Sequence, residues 1–169
     1  MEGESEGNGE GEEGSEGESA CTPLIEMVCP LSMSGNGGSG TGTITTTTTG
    51  QGPMLSAVLH LVHTVSNPVT LKVIASSTQQ VLFSHGFSAS PIDYTLTEAE
   101  VAAINNAQGA YLLLTNSAYP EGAAQGEPDC GNPSSAELLT PIYVDQANTS
   151  GTENGYCWET AYTKIQPAL

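Results

Sequence analysis

Met54 to Val65 alternates with a period of two: Leu55, Ala57, Leu59 and Leu61 fall on one face and Ser56, Val58, His60 and Val62 on the other. That pattern suits a β-strand with one buried face, because successive side chains of a strand point to opposite sides. Asn67-Pro68 ends the run as a turn signal, since proline fixes its own φ and drives the preceding residue away from helical geometry. The texture recurs on both sides. Thr43 to Thr49 is a β-branched run around Ile44, favourable in a strand and poor in a helix, and Gln51-Gly52-Pro53 breaks it. Val69 to Ala75, Gln80 to Phe83 and Tyr111 to Thr115 read as further strands, the last closing at Asn116, Ser117 and the Pro120-Glu121-Gly122 turn. Short strands punctuated in this way predict a mainly β fold, an antiparallel sandwich with Greek-key-like connections.

One helix interrupts the series. Thr97-Glu98-Ala99-Glu100 is a capping box: the Thr97 hydroxyl accepts from the Glu100 amide, and the Glu100 carboxylate reaches back to the Thr97 amide. The helix is expected to start at Glu98, to bury Val101 and Ile104, and to stop after about two turns at Asn105-Asn106 and Gly109.

Charge narrows the partners. With two Lys and Arg against 19 Asp and Glu, the net charge is -17. Lys72 and Lys164 are too few to neutralise a phosphate backbone or to hold an anionic bilayer, so nucleic acid and membrane surface are not expected partners. No run approaches the roughly 18 apolar residues of a span, so membrane insertion is not expected either, and the N-terminus lacks the basic flank and apolar stretch of a secretory signal. The excess of Thr, Ser, Gly and Asn over Lys is nonetheless similar to that of secreted bacterial surface proteins, which gives an extracellular or cell-surface expectation and a start inside a longer polypeptide.

Four cysteines, Cys21, Cys29, Cys130 and Cys157, allow three disulfide pairings in an oxidising compartment, and their spacing matches no CxxC zinc pattern. Residues 1–20 hold eight Glu among Gly and Ser, too few apolar groups to offset the entropy of ordering, so this stretch is expected to be a disordered spacer. A short apolar patch lies between Cys21 and Pro30, and residues 32–42, rich in Ser and Gly, read as linker. Residues 1–42 thus read as linker, and the β texture begins at Thr43.

Several separated elements carry a family resemblance. Ser90-Pro91-Ile92-Asp93-Tyr94-Thr95-Leu96-Thr97, the helix from Glu98, Gly109 to Thr115, Tyr119-Pro120-Glu121-Gly122 and Gly126 resemble the second half of a CHRD (chordin-type) domain, and Leu59-His60 with Val65-Ser66-Asn67-Pro68 fit upstream. The family's His-Ile-His strand is replaced here by Leu71-Lys72-Val73-Ile74, its Asn-x-His-Thr by Leu112-Leu113-Leu114-Thr115, and the Arg of its closing motif is missing from Gly122-Ala123-Ala124-Gln125-Gly126. The resemblance covers residues 43–128, which leaves 129–169 as linker and C-terminal appendage, and it implies the fold without the family's histidines. Of those that remain, His60 and His63 are three apart on a strand and face opposite ways, and His85 lies beyond a separate strand, so no shared metal site is expected.

A second resemblance covers the end of the chain. Ile142-Tyr143-Val144-Asp145, Gly151, Asn154-Gly155, Trp158, Ala161-Tyr162 and Ile165-Gln166 are similar to the entry segment of right-handed parallel β-helix (pectin-lyase-like) surface proteins, which implies a short strand and a capping helix. Trp158, Tyr162, Ile165 and Leu169 recur at helical spacing. Cys157 stands where that family has a small hydroxyl residue, which admits a bridge to Cys130.

No catalytic or cofactor-binding set is expected: there is no GxSxG and no phosphate-binding glycine loop before a helix, and Asp93, Glu98, Glu100 and Asp145 suit turns and caps better than acid-base chemistry. The leading expectation is a non-enzymatic structural or adhesive surface module meeting a protein or glycan. A calcium-dependent binding module is the second, and a metal-dependent sandwich enzyme, which would need the family's histidines, the third.

Overall fold

The computed structural model describes residues 22–50, 52–139, 142–149, 155–156 and 161–164. The acidic tail, Cys21, Cys157, Trp158, Ile165 and Leu169 lie outside them. The chain divides into a unit spanning Thr22–Ile142 and a second unit that takes in Tyr143 onward.

The larger unit begins with a long hairpin. β1 (Leu24–Gly35) and β2 (Gly38–Thr49) pair antiparallel over their whole lengths around the two-residue turn Asn36-Gly37. Residues 32–42, expected as linker, are therefore strand, and the domain starts well before Thr43. The glycines there permit close approach rather than slack. A Cβ at Gly42 would overlap the carbonyl oxygen of His60 on the neighbouring strand, so only glycine lets the two backbones meet. Gly42→Ala is expected to lower unfolding stability by about 2 kcal/mol, checked by urea denaturation.

β3 (Met54–His63) continues the meander on β2. The chain then crosses to the far side of the sheet, where β4 (Val69–Ala75) and β5 (Val81–Phe87) form a hairpin, and returns as β6 (Ile92–Thr95) beside β3. Helix α1 (Glu98–Ala107) follows, with the expected start and cap; it runs nearly three turns, through Asn105-Asn106, because Gln108 rather than the asparagines takes the left-handed conformation that ends it. β7 (Ala110–Thr115) pairs with the free side of β4, and β8 (Ala124–Gly126) links β7 to β1. From β8 the chain runs on along β1, bonding at Pro30 and Val28, into β9 (Ser135–Leu138). The segment after Glu127 is thus partly a sheet strand, and the expected boundary at 128 falls inside the unit.

All these pairings are antiparallel, in the order β5-β4-β7-β8-β1-β2-β3-β6, with β9 also on β1. The expected mainly β, antiparallel fold with one short helix is what forms, as a sheet curled nearly into a barrel. Its two edges, β5 and β6, meet through aromatic contacts, His85 with Tyr94 at 4.6 Å and Phe87 with Tyr94 at 6.0 Å between ring centres. Alternation drives the burial: Leu31, Met33, Leu59, Leu61, Leu71, Val73, Leu112 and Leu114 point inward and form one core. Leu55, expected on the same face, is 48% exposed, because it sits at the strand start, beside the register shift between Thr47 and Thr48.

In the second unit Val144 and Tyr162 form a parallel bridge, in which Tyr162 donates to the Tyr143 carbonyl and Asp145 to the Tyr162 carbonyl. Around Val144, where a strand was expected, the described residues hold this isolated bridge and no strand. The expected capping helix lies largely outside the described residues; of these, 161–164 include Tyr162, whose backbone bonds in the bridge.

Candidate functional site

The seam between β5 and β6 is held by one carboxylate. Thr97 caps α1 in extended geometry and accepts from the Glu100 amide at 3.4 Å, while Glu100 Oε2 accepts from the Thr97 amide at 2.8 Å, completing the capping box. The same carboxylate serves two strands. Tyr94 on β6 donates its hydroxyl to Oε2 at 2.9 Å, and His85 Nε2 on β5 lies 2.5 Å from Oε1 and 2.8 Å from the Tyr94 hydroxyl. These contacts are mutually consistent when His85 Nε2 carries the proton and Tyr94 donates to Glu100. The Thr97 hydroxyl adds a further bond at 2.9 Å.

Burial alone would push the Glu100 carboxyl up. The bonds it accepts, first from His85 and then from Thr97 and Tyr94, overcome that and hold it down at about 2. Burial, reinforced by the bond to Glu100 and by its charge, raises the Tyr94 phenol above its ordinary value. A carboxylate so placed keeps no proton to give at neutral pH and is a feeble base. Its capping role was readable in Thr97-Glu98-Ala99-Glu100; its reach to His85 was not. β5 runs on to Phe87, so His85, expected beyond the strand, lies on it.

The other histidines go elsewhere, and His60 and His63 do face opposite ways. His60 is exposed and bonds Asp93 at 2.6 Å across the β3–β6 pair. His63 is buried, with Nδ1 3.2 Å from the Val65 carbonyl and Nε2 without a partner among the described residues. Among the described residues no three of His, Cys, Asp and Glu converge as metal ligands would.

Behind the seam lies a chamber of about 320 Å³. Strand register explains it. Toward the Asn67-Pro68 turn the inward positions carry Leu61, Val69 and Leu114 and are filled. Toward α1 they carry Thr46 opposite Ala57, and Ala110 beside Val73 and Leu112, too small to meet in the middle. Ile44, Leu59, Val73, Phe83, Leu96 and Ile104 supply apolar walls, and Tyr94 contributes to the lining as well. Exposed Ser76, Gly109 and Glu127 also line the chamber, so it reaches the surface there. Thr46 is 5% exposed, and its hydroxyl has no hydrogen-bond partner among the described residues. Nothing in the threonine run singles out Thr46; only its parity with Ile44 marks it as inward.

Cys130 also lines the chamber and is joined to Cys29 on β1. Of the pairings open to the sequence, that one excludes the bridge from Cys130 to Cys157. Comparison of the chain with protein-family models, with curated proteins and with solved structures finds no match in any of the three.

Proposed function

We propose that this chain is a non-enzymatic surface module, a stapled β domain with a structural or adhesive role toward a protein or glycan outside the cell. The observation that carries the reading is the Cys29–Cys130 bridge, which ties β1 to the turn between β8 and β9 across a separation of 101 residues. Such bridges persist in oxidising compartments and are rare where glutathione keeps thiols reduced. The polar cluster supports the same reading from its own chemistry. His85, Tyr94 and Glu100 bond one another and the helix cap, and Glu100 held at about 2 is ill-suited to proton transfer near neutral pH. A divergent CHRD-type domain is part of this reading, supported by the matches at residues 90–97, 109–115 and 119–122.

The test uses the full chain on glycan and peptide arrays, beside a panel of hydrolytic and oxidative substrates. Saturable capture by an arrayed glycan or peptide establishes the adhesive form, and none leaves the structural one. Turnover lost on Glu100→Gln in a protein that stays folded would overturn both.

A further inference from the structure

We infer that the chamber is a binding site for a small neutral molecule, mostly apolar, with a single hydrogen-bonding group that meets the Thr46 hydroxyl. Four observations point to one ligand class. Size comes first. An engineered apolar cavity of about 150 Å³ takes up benzene, so one about twice as large accepts roughly a dozen non-hydrogen atoms, a fused bicyclic ring or a medium-length chain. The chamber measures about 320 Å³ and falls at the small end of natural ligand pockets.

Chemistry comes second. Aliphatic and aromatic side chains from β2, β3, β4, β5 and β7, with Leu96 and Ile104 from the helical side, make the wall apolar. A buried hydroxyl without a partner costs stability, and Thr46 is such a group, 5% exposed against an apolar space. A ligand hydroxyl or carbonyl would relieve it. A hydroxyl both donates and accepts, so either group fits.

Charge is the third. Among the described residues that line the chamber, Glu127 is the charged one, it lies at the opening, and the whole chain carries -17. A carboxylate ligand would meet like charge at the entrance and find no cation inside, so anionic fatty acids are disfavoured against neutral alcohols, phenols and ketones of the same bulk. The fourth is access. Ser76 and Gly109 flank Glu127 at the surface, while Asn105 fixes α1 to the start of β3 through two bonds to the Met54 backbone, which leaves a defined mouth.

The probes are 2-naphthol, naphthalene and decanoate, titrated into the full chain by calorimetry and followed by methyl NMR. 2-Naphthol is expected to bind at one site with a dissociation constant of roughly tens of micromolar, in line with the affinity per atom of small ligands. It should shift the Ile44, Leu59, Val73 and Leu112 methyls, while decanoate binds far more weakly. Thr46→Val, which keeps the shape and removes the hydroxyl, should weaken 2-naphthol about fivefold and leave naphthalene unchanged. Ala57→Leu should fill the space and abolish binding of both. The NMR shifts locate the site in the unaltered protein, so they decide the matter even where a filled variant does not fold. Lack of saturable 2-naphthol binding, shifts confined to other methyls, equal loss of naphthol and naphthalene in Thr46→Val, or preference for decanoate would each overturn the assignment.

Discussion

Replacing Cys29 and Cys130 together by alanine is expected to lower the thermal midpoint of the larger unit by about 15 °C. The bridge closes a loop of 101 residues, and chain entropy assigns a cross-link of about that length roughly 4 to 5 kcal/mol, at the upper end of what disulfides contribute. At about 4 °C per kcal/mol for a unit of about 120 residues, a 4 kcal/mol loss gives that fall. Position adds to length. The segment beyond β8 holds to β1 through a bridge at Leu31 and bonds at Pro30 and Val28 before β9 takes up regular pairing, so the staple sits where the pairing is sparse. Melting curves by circular dichroism of the full chain and the double variant check the size of the effect. Hydrogen exchange checks its location: the amides of Asp129, Ser134 and Leu139, all bonded to β1, should lose protection before those of β3 and β4. A fall under about 3 °C would mean that backbone pairing along β1 suffices, and that the loop-entropy argument fails for this chain.

That bridge also shows where reading residues in order stops. Cysteine spacing leaves three pairings open, and nothing local chooses between them, because Cys29 meets Cys130 only after the segment beyond β8 has laid itself along β1. The strands at Met54 and Val69 were legible because aliphatic residues alternate there, and the one at Tyr111 because a short apolar run ends at the Asn116 and Pro120 turn signals. The helix was legible because its cap is a four-residue signal. The hairpin of β1 and β2 was hidden by its own composition: glycine and serine usually mean slack chain, and here they mean backbones packed too closely for a side chain. The Asn36-Gly37 turn was the usable signal, since that dipeptide favours a two-residue hairpin loop. The chamber is harder still. Thr46, Ala57 and Ala110 are ordinary strand residues separately, and a hollow arises only because register sets them around one space.

Acidification should remove a specific part of the stability, and Glu100→Gln should remove it at every pH. The Glu100 carboxyl stands at about 2 in the folded chain against an ordinary 4.5, so the folded state binds its proton less readily than the unfolded one. The corresponding contribution, about 3 kcal/mol, is fully present above the unfolded value and is lost progressively as pH falls toward and through about 2. Many exposed carboxylates titrate in the same window, so the difference between parent and variant is the quantity to follow. At pH 7 Glu100→Gln should be less stable by about 3 kcal/mol, because the amide accepts through one oxygen where the carboxylate accepts from His85, Tyr94 and Thr97 through two. Between pH 5 and pH 2 the two melting curves should converge as the parent loses what the variant lacks. The structural consequence is directional: β5, β6 and the first turn of α1 share this one anion, so its neutralisation loosens the seam before the leucine core. Amide exchange at Thr97, whose N–H bonds Oε2 at 2.8 Å, should rise on acidification while that of Leu114 stays slow. Parallel melting curves for parent and variant across that range would show that the capping box, and not the carboxylate's charge, holds the seam.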